Sequence, residues 1–174
     1  MADAAAWRVA FAKQAQADLD ARDFLVSSPQ LSSCHQLHFL QMACEKLCKA
    51  HLCRHGSDPA EIQSSHAYIA SVLPSIARQH LARTARQIPK SRSRVLGAIR
   101  KLARRIELLA PAVDAGGRHP ANCEYPWETA DGSIAVPAEF NFRFDLLYEE
   151  GGRHLLKILR VAVRELIQSE PTPQ

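Results

Sequence analysis

The chain reads as an all-α protein, an up-and-down bundle of about five helices with a long irregular insert before the last one. Three observations predict it. Ala, Leu and Arg are abundant while aromatic residues make up only 6% of the 174 residues, a mixture that suits helices better than pleated sheets. Apolar residues recur at spacings of three and four over most of the chain. Ser, Gly and Pro clusters punctuate those periodic stretches where helices would start and stop. At this length a single domain over 1–174 can bury a contiguous core without disulfides or metal.

The first helix is expected from Asp3 to Ser27, with Trp7, Phe11, Ala15 and Leu19 in one stripe and Leu25 continuing it. Arg8, Lys13, Asp18, Asp20 and Arg22 are assigned to other faces, and Ser27-Ser28-Pro29 ends the helix. Ser32 or Ser33 would cap a second helix over about Ser33–Arg54. Its apolar stripe is Leu37, Leu40, Cys44, Leu47 and Leu52, with Lys46, Lys49 and Arg54 off the stripe, and His55-Gly56-Ser57-Asp58-Pro59 closes it. A third helix, capped by Ser64 or Ser65, runs through Ile69, Val72, Leu73 and Ile76, with Pro74 expected to kink it or shift its start. After a break around Gln87–Ser91, Ser91 or Ser93 opens a fourth helix carrying Val95, Leu96, Ile99, Leu102, Ala103, Ile106 and Leu109. Residues 114–141 contain Gly116-Gly117, Pro120, Pro126, Gly132 and Pro137 and show no helical period. That insert carries Tyr125 and Trp127, which would fold it back onto the body. The last helix spans about Phe144–Gln168, with Gly151-Gly152 a competing start, and the tail 169–174 is expected to fray.

No apolar run is long enough to span a bilayer, and Met1–Trp7 lacks a signal-peptide pattern, so a cytoplasmic, non-membrane protein is expected. Of the five cysteines, Cys34, Cys44, Cys48 and Cys53 crowd the second helix and Cys123 lies in the insert, which predicts reduced, partly buried thiols. His35/His38 and Cys44/Cys48/His51 have helical ligand spacing, but only Cys123 and His119 offer remote ligands, so no metal and no cofactor is expected. Glu45 and Lys49 form an i,i+4 pair of stabilising orientation, read as solvent-facing.

The net charge of +4 hides an asymmetry. Between Ile62 and Ile106 there is no Asp or Glu, and the ten Lys and Arg there leave the remaining residues at −6. Arg94, Lys101 and Arg105 share a helix face flanked by Arg100 and Arg104, a stripe suited to sequence-independent phosphate contacts. No aromatics interleave with it, which argues against a stacking platform for single strands. A second candidate is a pocket that would gather His66, Tyr125, Trp127 and Arg153.

The string Cys34-His35-Gln36-Leu37-His38-Phe39-Leu40-Gln41-Met42-Ala43-Cys44-Glu45-Lys46-Leu47-Cys48-Lys49-Ala50-His51-Leu52 resembles the second helix of HEPN-domain proteins, with its Gln and Ala-x-Glu-Lys-x-x-Lys-Ala pattern. Ala17-Asp18-Leu19 with Ala21 is similar to that family's opening helix, and Ser65-His66-Ala67-Tyr68-Ile69 to the start of its third. The resemblance covers about Ala15–Leu73 and implies a helical bundle, expected as a homodimer. The family includes ribonucleases, toxin components of toxin–antitoxin pairs, partners of nucleotidyltransferases and non-catalytic binding modules, so fold alone does not decide function. Its catalytic members carry Arg, four to six residues, then His, and none of the eight histidines here has Arg at that distance. Lys46 stands five before His51, but Lys lacks the planar fork of Arg. No catalytic residues are therefore assigned. The expected function is a non-catalytic module binding RNA or another polyanion through Arg94, Arg100, Lys101, Arg104 and Arg105. The alternatives are a subunit for a protein partner of toxin–antitoxin or nucleotidyltransferase type, and an atypical ribonuclease.

Overall fold

The structure, a computed structural model, describes residues 3–28, 30–53, 57–84, 89–111 and 121–169, apart from the side chains of residues 89 and 90. Expectations at Pro29, His55-Gly56, Gly116-Gly117, His119, Pro120 and the end of the tail lie outside the described residues, as do Arg54 at the end of the second helix and Arg86 in the basic stretch.

The protein is an all-α bundle, as its composition and periodicity predict, with six helices among the described residues and one very short hairpin. Helix α1 spans Ala4–Val26, and Asp3 caps it by accepting from the Ala6 N–H at 2.8 Å. Helix α2 spans Ser33–Leu52. The Lys46–Asp18 bond and the Gln36 side chain on the Leu25 carbonyl show the two helices antiparallel. Helix α3 is a short Pro59–Ser64 segment that the sequence pattern does not predict. Its signals are local: Asp58 accepts from the Ala60 N–H, and Pro59 occupies the first turn, where a missing N–H is harmless.

Helix α4 spans Ile69–Arg83, and neither Ser64 nor Ser65 caps it. Ser64 ends α3 instead, and the Ala70 N–H is taken by Glu107 of the next helix at 2.8 Å. A remote carboxylate thus does the work expected of a local hydroxyl, and its charge suits the positive end of the helix. Pro74 lies inside α4 without ending it, although it has no N–H to offer the Ala70 carbonyl. Helix α5 spans Pro89–Glu107 and pairs antiparallel with α4, its apolar stripe Val95, Ile99, Leu102, Ala103 and Ile106 buried.

The described part of the insert is not wholly irregular. Strands β1 (Trp127–Glu128) and β2 (Ile134–Ala135) pair antiparallel, with Trp127 opposite Ala135. Asp131 and Gly132, the latter at φ 82°, make the turn, and Asp131 accepts from Thr129 and Ser133. Trp127 is buried edge-on against Phe140, with Phe142 beside both, and it shares one apolar cluster with the helices, so it pins the insert as expected. Tyr125 does not: it is 61% exposed.

Helix α6 spans Glu150–Gln168, so Gly151-Gly152 belongs to its first turn, and a single 3-10 turn at Asp145–Leu147 precedes it. The reason for two glycines is steric. A Cβ on Gly151 would meet the Ala98 Cβ at 2.4 Å, and one on Gly152 would meet the Leu147 carbonyl at 2.3 Å. The bare Gly151 lets α6 approach α5 closely and the bare Gly152 lets the 3-10 turn fold onto the helix start, while Arg160–Asp23 and Arg83–Glu165 tie α6 to α1 and α4. No helix among the described residues is long and apolar enough to cross a membrane.

Candidate functional site

Two polar features stand out from the apolar packing. The first is on α2, where the face assigned to solvent is buried. Gln41, Glu45 and Lys49 recur every four residues and therefore line one side of the helix, and all three are buried. Glu45 is the hub. Its Oε1 lies 2.7 Å from Lys49 Nζ and 3.1 Å from His66 Nδ1, while Oε2 accepts from Gln41 Nε2 at 2.9 Å. Lys49 also donates to the Gln63 carbonyl at 2.9 Å. The end of α3 and the loop after it thus close over α2 through two bonds, one at the Gln63 carbonyl and one at His66.

The expected solvent-facing Glu45–Lys49 pair is corrected by this geometry. Burial would push the Glu45 carboxyl up, but the hydrogen bonds and charges of Lys49, Gln41 and His66 outweigh it and leave it below its ordinary value. Glu45 is accordingly an anion in the interior, and Lys49 supplies the opposite charge. His66 is the accessible member, its side chain 46% exposed. A carboxylate fixing Nδ1 of a half-exposed imidazole orients that ring, an arrangement that general bases use.

Asp18 and Arg22 on α1 are likewise buried rather than on a free face. Asp18 accepts from Lys46 at 2.6 Å and from Gln14 at 3.2 Å. Arg22 donates to Asp23 at 2.9 Å. All five cysteines are free and buried, more so than expected. Burial pushes the Cys44 thiol up to about 12 and Cys48 well above its ordinary value, which disfavours the thiolate that reacts.

The second feature is the outer face of α5. Arg94, Arg100, Lys101 and Arg104 are exposed. Among the described residues they make no ion pair or hydrogen bond. They span about 120° of the helix opposite its buried stripe and about 15 Å along its axis. Gly97, near the middle of this face, has open space beside it. Glu149 and Glu150 at the start of α6 line shallow hollows with Arg94, and Glu149 one with Lys101, so acidic groups border one edge of the face. Arg105 is engaged elsewhere. It donates to the carbonyls of Phe142 and Arg143 at 2.9 and 2.7 Å and lies 4.4 Å over the Phe144 ring. It anchors the end of the insert rather than extending the exposed stripe.

The four residues of the candidate pocket have separate surroundings. His66 is on Glu45, Trp127 among Phe140 and Phe142, Tyr125 exposed, and Arg153 on the Tyr148 carbonyl at 2.6 Å. Sequence reasoning missed the buried Gln41–Glu45–Lys49 rib. Its signal was the four-residue spacing itself, which places all three on one face. Compared with known proteins, the chain matches no family model, no curated protein and no solved structure.

Proposed function

We propose that the protein is a HEPN-like module that binds RNA or another polyanion through the outer face of α5, as a homodimer. The observation that carries this is the set of exposed cations, Arg94, Arg100, Lys101 and Arg104, without partners among the described residues. Exposed guanidinium and ammonium groups with no internal ion pair keep their charge available for phosphates, and a convex helix face meets a backbone without reading bases. Four phosphate contacts to a single strand correspond to a log–log salt slope of about −3. The test is fluorescence anisotropy of a labelled RNA titrated with the protein at several salt concentrations. Wild type should bind at low salt, and R100A/K101A/R104A should bind weakly with a flatter slope. Equal binding by that variant, or none by wild type at low salt, refutes the proposal. Capture of a protein partner by the same face, lost in the same variant, would favour the interaction-subunit alternative.

The Glu45–His66 bond favours a second reading, an atypical ribonuclease with His66 as general base. Glu107 ties the end of α5 to the start of α4, next to His66, and Arg104 precedes Glu107 by one turn. A base from the loop before α4 and a phosphate-stabilising cation from α5 thus share one end of the bundle. RNA cleavage abolished by H66A, with RNA binding retained, would establish this reading, and an inert wild type would end it.

A further inference from the structure

One cavity of about 160 Å³ opens between the start of α2 and the segment that leads into α6. Its walls include Arg22, Ser33, Gln36, Arg143, Asp145 and Tyr148. We propose that this cavity binds the phosphate group of a small ligand, independently of the α5 face.

Arg22 carries the proposal. Its side chain is only 7% exposed, yet among the described residues its one hydrogen bond is from Nη1 to Asp23. Among the described residues its Nε and Nη2 have no hydrogen-bond partner, and neither is sealed from solvent. Arg22 also lines the cavity. A buried guanidinium with open donors is costly unless something polar meets it. Asp23 does not neutralise it fully, because both of its oxygens also accept from Arg160 at 2.8 and 2.6 Å. One carboxylate shared by two guanidiniums leaves net positive charge at the cavity wall.

Two further observations converge. Arg143 lines the same cavity and holds φ at 50°, a left-handed conformation that non-glycine residues seldom adopt. Asn141 accepts from the Arg143 N–H at 2.9 Å, and Arg105 grips the Arg143 carbonyl, so packing maintains that geometry. The start of α2 supplies the second observation. Ser32 makes no side-chain cap, since its hydroxyl donates to the Ala138 carbonyl at 2.7 Å instead. The positive end of a 20-residue helix therefore faces the cavity through Ser33 without a capping side chain. Two guanidiniums suit a phosphate better than a lone carboxylate, because each can form paired bonds to adjacent oxygens. The Asp145 carboxylate on the same wall then selects a phosphate whose ligand also offers a hydroxyl toward it.

The test is an NMR titration with inorganic phosphate at constant ionic strength, following the arginine Nε–H resonances. A saturable shift of the Arg22 signal is expected, retained in R100A/K101A/R104A and weakened at least tenfold in R143A. Arg143 is exposed, so this variant should fold even if R22K does not. No saturable shift, an unchanged titration of R143A, loss in the α5 variant, or an equal response to acetate would each overturn the proposal. RNA binding should be unchanged in R143A, which separates failure here from failure of the polyanion reading.

Discussion

Helices α2 and α5 carry polar residues at similar spacings and end up electrostatically opposite. On α2, Glu45 and Lys49 are buried 2.7 Å apart, and each has a further partner. On α5, Arg100, Lys101 and Arg104 face outward without partners among the described residues. The difference comes from neighbours. A central helix packed against α1, α4, α5 and α6 has little free surface left, and Gln63 of α3 with His66 of the loop after it covers what remains. Helix α5 packs mainly on α4 and α6, which leaves one side open. A charge pair inside a protein is tolerated only when its bonding capacity is filled, whereas an outward cation relies on water and is free to exchange it for a ligand.

The sharpest way to break this comparison is Glu45→Ala, which leaves the Lys49 ammonium buried without its counter-charge. It should destabilise by about 3–5 kcal/mol in urea denaturation. Glu45→Ala combined with Lys49→Met should recover much of that loss, because the orphaned charge goes with it. A full additive loss in the double variant would mean that the pair is not the unit.

The same carboxylate predicts a pH dependence. Its folded value lies below its ordinary value of 4.5, so the stability it contributes is fully present above pH 4.5. That contribution is lost as the pH falls through the lowered folded value. Melting temperature measured from pH 6 downward should fall more steeply in wild type than in Glu45→Gln over that window.

Neighbouring arginines on α5 should separate by role. Arg105→Ala removes two bonds to carbonyls and the contact over Phe144, for a loss of about 1–2 kcal/mol seen as a lower melting temperature. Arg104→Ala should change stability by no more than about 0.5 kcal/mol. Its effect belongs in RNA binding, where the salt slope should shrink by about 1. Equal stability losses for the two would remove the distinction between an anchoring and an available cation.

The sequence by itself determined the helical class, four of the long helices to within a few residues, and the apolar stripe of α5. These follow from periodicity and from stop signals such as Ser27-Ser28, which act within a turn or two of themselves. It also held the exposed cations of α5, because a helix face without carboxylates is visible in the residue order. What only the tertiary structure decided is which polar residues lie inside. Lys49, Asp18 and Arg22 have charged identities that argue for solvent, and the partners that reach the first two, the Gln63 carbonyl for Lys49 and Lys46 for Asp18, meet them only in three dimensions. The cap of α4 by Glu107, 37 residues away, is of the same kind. Local rules describe what a residue prefers, and packing determines which preferences can be met together.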